Sequence, residues 1–228
     1  MEVLFEDNHI IAVNKSNSEI VQGDKTGDDA LCDKVKAYIK KKYNKPGDVY
    51  LGVVHRIDRP VSGVVVFART SKAAARLSKM FQDKEVKKTY WAIVKNLPEE
   101  DEGRLVHYMI KNQEKNRSKA FDAPKKNSKE AILNYKLVSS SANYHLLEVD
   151  LETGRHHQIR CQLAKIGCPI RGDLKYGAPR SLKGGGINLH ARKIQFMHPV
   201  KKEPIEIIAP VPKEESLWNE FDNVVGNI

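Results

Sequence analysis

A cluster of charged side chains stands between two short apolar segments in the first third of the chain. The segments, residues 51–54 and 64–68, are rich in β-branched residues and are bounded by polar or turn-forming residues, which is typical of buried strands. Between them lie four ionisable side chains: His55, Arg56, Asp58 and Arg59. Pro60 and Gly63 favour a turn at this point. The stretch therefore predicts two buried strands joined by a charged turn.

Asp58 is the costliest residue to place in this turn. A carboxylate at the end of a buried strand needs paired charge or several hydrogen bonds, and Arg56 and Arg59 flank it in the sequence. Such a carboxylate belongs either to a structural ion pair or to an active site, and the turn alone favours neither interpretation.

The charge balance indicates an anionic partner. The 228 residues include 39 Lys plus Arg against 29 Asp plus Glu, which gives a formal net charge of +10. Nucleic acid is therefore the first candidate partner. Basic residues are densest between Arg69 and Lys95, where eight Lys or Arg accompany two acidic residues. This run forms either an RNA-facing surface or a solvated helix face.

Composition also excludes several classes of protein. The three cysteines contain no C-x-x-C pair, so no common zinc-knuckle spacing is present, and an odd, low count suits a reducing compartment. The N-terminus lacks the pattern of a signal peptide, and no apolar run approaches the ~20 residues of a membrane span. We expect a cytoplasmic protein without a metal site or a membrane partner.

Hydrophobic periodicity predicts a mixture of strands and helices. Strands are expected at 3–5, 9–14, 89–94, 132–138, 144–151, 188–196 and 205–208. Helices are expected after a cap at Asp28 or Asp29, after a cap at Ser71, from Gly154 to Gly167, and in the tail after Lys213. Residues 15–27 are expected to be loop, and residues 111–130 a loop or an extended hairpin. No repeat or linker divides the chain, so one domain over residues 1–228 is expected.

A second polar cluster covers residues 154–160, in the order Gly-Arg-His-His-Gln-Ile-Arg. If the helix begins at Gly154, then Arg160 lies near its N-terminus, where the helix dipole disfavours a cation, and a buried carboxylate is the expected partner. The two adjacent histidines do not share a helix face, which argues against a two-histidine metal site.

The wording and order of these clusters resemble the RluA-type family of RNA pseudouridine synthases. Residues 55–63, His-Arg-Ile-Asp-Arg-Pro-Val-Ser-Gly, are similar to the signature of that family, and residues 154–160 are similar to its G-R-T-H-Q-I-R run. Residues 88–94, 172–177 and 189–191 match in the same order. The chain departs from the pattern at His156, where the family usually has Thr, and at residues 15–18, where Lys-Ser-Asn-Ser replaces Lys-Pro-Ala-Gly.

The resemblance implies a fold and a reaction. The fold is α+β, with a mixed, largely antiparallel central sheet, flanking helices and loops, and a catalytic cleft across the sheet. The reaction is the isomerisation of uridine to pseudouridine in structured RNA, either ribosomal or transfer RNA, with no cofactor and no metal. We expect a monomeric catalytic domain without an N-terminal RNA-binding extension.

The resemblance also implies roles for individual residues. Asp58 is the catalytic carboxylate, acting on the sugar as a nucleophile or as a base through a glycal. Arg160 pairs with Asp58, and Tyr90 stacks on the base and takes part in proton transfer. The remaining expected roles concern substrate binding: Arg56 enters the RNA where the nucleotide has flipped out, Ile159 packs beneath the uracil, His55 organises the loop, and Arg155 and Gln158 contact the substrate.

Three other interpretations remain open at this point. The first is a non-catalytic RNA-binding protein. The second is a nucleoside hydrolase or RNA glycosylase, and the third is a structural protein whose basic surface is incidental. A glycosidase would need a second carboxylate as its acid, whereas the clusters supply arginines, which fits an isomerase better. Release of free uracil would identify a glycosylase.

Overall fold

A computed structural model describes residues 1–23 and 27–225. Within them, residues 16–23 and 27 of the predicted loop form no helix or strand, and residues 24–26 of that prediction lie outside the described part. The strands are β1 (Glu2–Glu6), β2 (Ile10–Lys15), β3 (Gly52–Val53), β4 (Ser62–Ala68), β5 (Lys87–Val94), β6 (Glu102–Asn112), β7 (Arg117–Phe121), β8 (Lys129–Ser140), β9 (His145–Leu151), β10 (Leu189–Met197) and β11 (Pro204–Ile208). The helices are α1 (Leu31–Lys42), α2 (Ser71–Gln82), α3 (Gln158–Lys165) and α4 (Ser216–Val225).

The chain divides into two compact units. The first contains Met1–Lys87 and Ala191–Pro210, and the second contains Lys88–His190 and Val211–Ile228. Each unit has its own antiparallel strands. None of the described helices is long and apolar enough to cross a membrane.

The first unit is built on β4. Its strands run in the order β1, β2, β4 and β10, with β11 paired to β10. The β1–β2, β2–β4 and β10–β11 pairs are antiparallel. All seven residues of β4 are buried because the segment is apolar on both faces. The short strand β3 pairs with the end of β4, placing Gly52 opposite Ala68. The segment 51–54 is thus only half-buried and pairs over two residues, so the prediction of a buried strand there was wrong.

Gly63 has a different role from the one predicted. It lies inside β4 with φ +118°, and a Cβ at this position would come within 2.3 Å of the Ala191 carbonyl oxygen. The turn itself is made earlier, where the Val61 N–H donates to the Asp58 carbonyl at 3.0 Å across Arg59 and Pro60. Gly63 is therefore required for a positive φ and a close approach of two backbones.

The second unit is a five-stranded antiparallel sheet in the order β5, β9, β8, β6 and β7. Residues 111–130 form the β6–β7 hairpin, the turn after it and the start of β8, which agrees with an extended hairpin. On one face, Trp91 and Ile93 pack with Trp218 and Phe221 of α4. This confirms the predicted docking of the tail as a short helix.

Helix α3 packs on the other face of that sheet. Cys161 of α3 clusters with Ala131 of β8 and Met109 of β6. The helix begins at Gln158, with His157 as a left-handed N-cap residue at φ 54°, and not at Gly154 as predicted. Residues 154–157 therefore form a non-helical entry to α3, which separates Arg155 from the helix.

Two predicted helix caps were also wrong. Helix α1 begins after Ala30, which has no side-chain cap, and neither Asp28 nor Asp29 caps it. Helix α2 is capped by Thr70, whose hydroxyl accepts from the Ala73 N–H at 3.1 Å, and Ser71 is its first helical residue. A threonine hydroxyl satisfies one of the backbone donors that a helix start leaves unpaired.

Replacing Thr70 by alanine tests this cap. We expect Thr70→Ala to lower the free energy of unfolding by about 1 kcal/mol, because the Ala73 N–H loses its acceptor. Ser71→Ala, one residue further along the chain, should change it by no more than about 0.5 kcal/mol. Urea unfolding followed by circular dichroism measures both, and equal losses would contradict the assignment of Thr70 as the cap.

Candidate active site

Asp58 lies on a tight turn that leads into β4. It is half-buried, the preceding Ile57 is buried, and Arg56 is exposed. The turn is closed by the hydrogen bond from the Val61 N–H to the Asp58 carbonyl. A rigid strand thus follows the turn directly, which limits the positions that the carboxylate can take.

The side-chain amino group of Lys15 holds this turn through a hydrogen bond to the Arg59 carbonyl. Lys15 is the last residue of β2 and only 1% exposed. Its Nζ donates to three carbonyl oxygens, those of Ser16 at 2.9 Å, Glu19 at 2.7 Å and Arg59 at 3.0 Å. One cation therefore ties the segment after β2 to the residue that follows Asp58. No role for Lys15 was inferred from sequence, although a lysine that ends an apolar strand was a usable signal.

Charge also couples Lys15 to Asp58. Burial is the main influence on this lysine and lowers its pKa to about 7, while the negative charges of Glu19 and Asp58 act in the opposite direction. The carboxylate of Asp58 is thus close enough to help keep the buried ammonium protonated.

His55 connects the same turn to β4 and α2. Its Nε2 accepts a hydrogen bond from the Val66 N–H of β4 at 2.9 Å. The ring stacks on Phe81 of α2 with centroids 4.8 Å apart. Because Nε2 accepts, a neutral ring would carry its proton on Nδ1. The imidazole continues the pairing along β4 where β3 has ended.

Arg59 closes the outer side of the turn. Its guanidinium contacts Asp28 at 2.8 Å and donates to the Ser18 carbonyl at 3.2 Å. Arg59 directly follows Asp58 in the sequence, and its contacts with Ser18 and Asp28 hold the preceding loop. In the first unit, the contacts of Lys15, His55 and Arg59 hold the segment that carries His55, Arg56 and Asp58, which we call the braced turn.

Tyr90 lies in the second unit, on the face of the sheet that carries α3. It is half-buried in β5 and pairs with Val149 of β9, which in turn pairs with Tyr135 of β8. Tyr135 and Ala131 lie on the same face of β8, because they are four residues apart and side chains alternate between faces. Ala131 packs against α3. The face of Tyr90 is thus opposite the face covered by α4.

Arg160 forms a buried ion pair within this unit. Its Nε donates to Oδ2 of Asp173 at 2.7 Å and its Nη2 donates to Oδ1 at 2.9 Å. The arginine is 5% exposed and the aspartate 1%. The guanidinium also lies over the Tyr176 ring, 5.2 Å from its centroid. The expected buried carboxylate near Arg160 is therefore Asp173, which lies in the 172–177 stretch of the family resemblance. The pairing of Arg160 with Asp58 stays a prediction.

Gln158 and Arg155 fasten the entry to α3. The Gln158 Oε1 accepts from the Thr153 hydroxyl at 2.7 Å and from the Arg155 N–H at 2.9 Å, and its Nε2 donates to the Ile132 carbonyl at 3.0 Å. Gln158 is 3% exposed, so its amide serves this loop. Arg155 is exposed, and its Nε donates to the Glu130 carbonyl at 2.7 Å. Their contacts with substrate stay predictions.

The two adjacent histidines stack on each other with centroids 3.8 Å apart. His156 contacts Asn116 and Ser118 of the β6–β7 hairpin, each at 3.0 Å. His157 contacts the Tyr176 hydroxyl at 3.0 Å, and burial lowers its pKa to about 2, so its ring is neutral at ordinary pH. Among the described residues, no group of three or more His, Cys, Asp or Glu side chains is arranged to hold a metal ion.

Comparison with known proteins decides the family. Residues 9–165 match the family model described as RNA pseudouridylate synthase. The matched range includes the Asp58 turn, Tyr90 and the 154–160 run. The chain belongs to this family. RNA pseudouridylate synthases are isomerases, and the expected family resemblance is confirmed.

Individual relatives agree with this assignment. The chain is 31% identical over 227 residues to ribosomal large subunit pseudouridine synthase D of Xylella fastidiosa, covering 94% of this chain and 67% of the relative. It is 30% identical over 248 residues to tRNA pseudouridine synthase C of Vibrio vulnificus, covering 97% and 96%. It is 32% identical to an RNA pseudouridine synthase of Synechocystis, of which it spans 66%.

Solved structures confirm the predicted pseudouridine-synthase fold. Human RNA pseudouridylate synthase domain containing 4 superposes with a TM-score of 0.79 at 22% identity, over 98% of this chain and 92% of that chain. Human RNA pseudouridylate synthase domain containing 1 gives 0.72 at 21% identity, over 92% and 83%. The α+β fold with a largely antiparallel sheet and four helices is thus shared with family members.

The pH dependence of stability tests the state of Lys15. Its folded pKa of about 7 lies below its unfolded value of 10.5, so between these values the unfolded chain binds one more proton. The wild type should therefore gain stability relative to Lys15→Met as pH rises from 7.5 to 9.5, by about 1.4 kcal/mol per pH unit. Urea titrations across this range measure the difference, and parallel curves would show that Lys15 keeps its proton.

The buried ion pair can be compared with an exposed one. Arg160→Met should lower the free energy of unfolding by about 3–5 kcal/mol, because Asp173 is left as an unpaired buried carboxylate. Lys165→Met removes a cation from the same helix, where Lys165 pairs with the exposed Asp122 at 2.8 Å, and should cost less than about 1 kcal/mol. Similar losses in denaturant titrations of the two variants would contradict the importance of the buried pair.

Proposed function

We propose that the chain converts uridine to pseudouridine in structured RNA, either ribosomal or transfer RNA, with Asp58 as the catalytic carboxylate. The observation that carries this proposal is the braced turn of Asp58 in a member of the pseudouridylate synthase family. The formal charge of +10 supports an RNA substrate. The relatives are named for both ribosomal and transfer RNA, so both classes belong to the proposal.

The reaction exchanges one bond of the base for another. The bond between C1′ and N1 breaks, the uracil turns, and a bond between C1′ and C5 forms. The proton leaves C5, and N1 gains a proton, so the product is an isomer of the substrate. Asp58 acts either by attack on C1′ or by removing a proton from C2′ to form a glycal, and the proposal covers both routes.

The other residues bind and orient the nucleotide in this proposal. Arg56, which is exposed on the Asp58 turn, enters the RNA where the target nucleotide has flipped out. Ile159, buried at the start of α3, packs beneath the uracil, and Arg160 lies beside it in the pair with Asp173. Arg155 contacts the RNA, while Gln158 holds the loop that presents Arg155. Tyr90 stacks on the base and moves a proton through its hydroxyl.

Mapping pseudouridine in total RNA from cells with and without the gene tests the proposal. We expect one or more positions in ribosomal or transfer RNA to lose the modification without the gene and to regain it with a plasmid copy. In vitro, RNA that contains uridine labelled with tritium at C5 should release tritium to water when the purified chain is added. Free uracil in place of pseudouridine would identify a glycosylase, and RNA binding without release would identify a non-catalytic binder.

Tyr90→Phe separates stacking from proton transfer. The ring is kept and the hydroxyl is lost, so RNA affinity should stay within about twofold of the wild type, and tritium release should slow by about 10²-fold or more. Tyr108→Phe is the matched control, because Tyr108 is another half-buried strand tyrosine of the second unit. Wild-type turnover by Tyr90→Phe would remove proton transfer from the proposal.

A further inference from the structure

Lys88 shares a strand face with Tyr90. It lies two residues before Tyr90 in β5, and side chains alternate between the faces of a strand. The opposite face carries Thr89, whose hydroxyl donates to Asp150 at 2.6 Å, and Trp91. The carboxylate of Asp150 is therefore used on the other side of the sheet. The Lys88 ammonium belongs to the face where the proposed function places the uracil.

The Lys88 side chain has open space beside Gly154 and no hydrogen-bond or ion-pair partner among the described residues. A Cβ at Gly154 would lie 3.7 Å from the Lys88 Nζ, so the backbone of the loop after β9 passes close to the ammonium. Lys88 is half-buried, and its side chain makes no hydrogen bond or ion pair with any residue that the structure describes. Burial alone lowers its pKa, and no neighbouring carboxylate opposes this effect.

Other buried cations of the chain have acceptors. Lys15 donates to three carbonyl oxygens, and Arg160 makes two bonds to Asp173. Withdrawing a cation from water without an acceptor costs free energy. Lys88 accordingly differs from Lys15 and Arg160, because none of the described residues supplies an acceptor for its ammonium group.

We propose that Lys88 binds a backbone phosphate of the substrate RNA beside the reacting nucleotide, in the space that Gly154 leaves open. This inference rests on the proposed function, since it places the phosphate next to the base that stacks on Tyr90. Residues 88 and 90 of a strand are about 7 Å apart, which is the scale of a single nucleotide. A phosphate would supply the negative charge and the acceptor oxygens that the ammonium lacks.

Two variants at adjacent positions test the protein side. Lys88→Met keeps the length of the side chain and removes the charge, and Lys87→Met removes the same charge from an exposed lysine on the opposite face of β5. The probe is a fluorescein-labelled RNA stem-loop with a uridine in its loop, titrated at several salt concentrations. Lys88→Met should weaken binding about tenfold at low salt and reduce the log–log salt slope by about one unit, whereas Lys87→Met should resemble the wild type.

Methylphosphonate substitution tests the RNA side. Each loop phosphate is neutralised singly, and one of them should weaken binding by the wild type as much as Lys88→Met does. That neutral position should cause no further loss with Lys88→Met, because the two changes remove one interaction. Additive losses at every phosphate, or equal effects of Lys87→Met and Lys88→Met, would overturn the inference.

Tritium release from the same stem-loop distinguishes this inference from the function on which it rests. A coupled phosphate without tritium release from any mapped RNA would refute the proposed function and leave an RNA phosphate site at Lys88. Tritium release by the wild type without a coupled phosphate would refute the site at Lys88 alone. Thermal unfolding of Lys88→Met confirms that the variant is folded when affinity is measured.

Discussion

The Lys15 side chain makes the contacts on which the proposed catalytic turn depends. Its buried Nζ has three carbonyl acceptors and joins the end of β2, the following loop and the residue after Asp58. Together with the bond from Val66 to His55, it fixes the backbone on both sides of the aspartate. A carboxylate that must reach one atom of a sugar gains from such a rigid support, because misplacement of a reactive group slows the reaction.

The second unit applies the same principle with different groups. The bidentate pair of Arg160 with Asp173 sets the orientation of the guanidinium. Gln158 ties the entry of α3 to β8 through one hydrogen bond to Ile132, and its bonds with Thr153 and Arg155 hold the entry itself. These contacts hold the 154–160 run on the sheet face that carries Tyr90. Buried charges at this site must be paired within the fold before substrate binds, since an unpaired buried charge would destabilise the fold.

Strong local patterns in the sequence were sufficient to predict most strands and helices and to indicate the family. Short stretches of sequence predict the apolar strand β4 and the amphipathic helices α2 and α4. The nine residues 55–63 around Asp58 indicate the family. The errors arose where a distant contact decides the local structure. The Ala191 backbone lies where a side chain at position 63 would be, so glycine is required there. The late start of α3 is set by the hydrogen bonds of Gln158 with Thr153 and Ile132. Asp173 was missed as the partner of Arg160 because twelve residues, including the loop after α3, lie between them.

Tritium release by Asp58→Asn tests the central claim most directly. The amide has almost the shape of the carboxylate but can neither attack C1′ nor remove a proton, so we expect a folded variant that binds RNA with wild-type affinity and releases no tritium. Asp28→Asn, which alters the exposed partner of Arg59, is the control and should retain release. A stable, RNA-binding Asp58→Asn protein that releases tritium at the wild-type rate would contradict the catalytic role of Asp58.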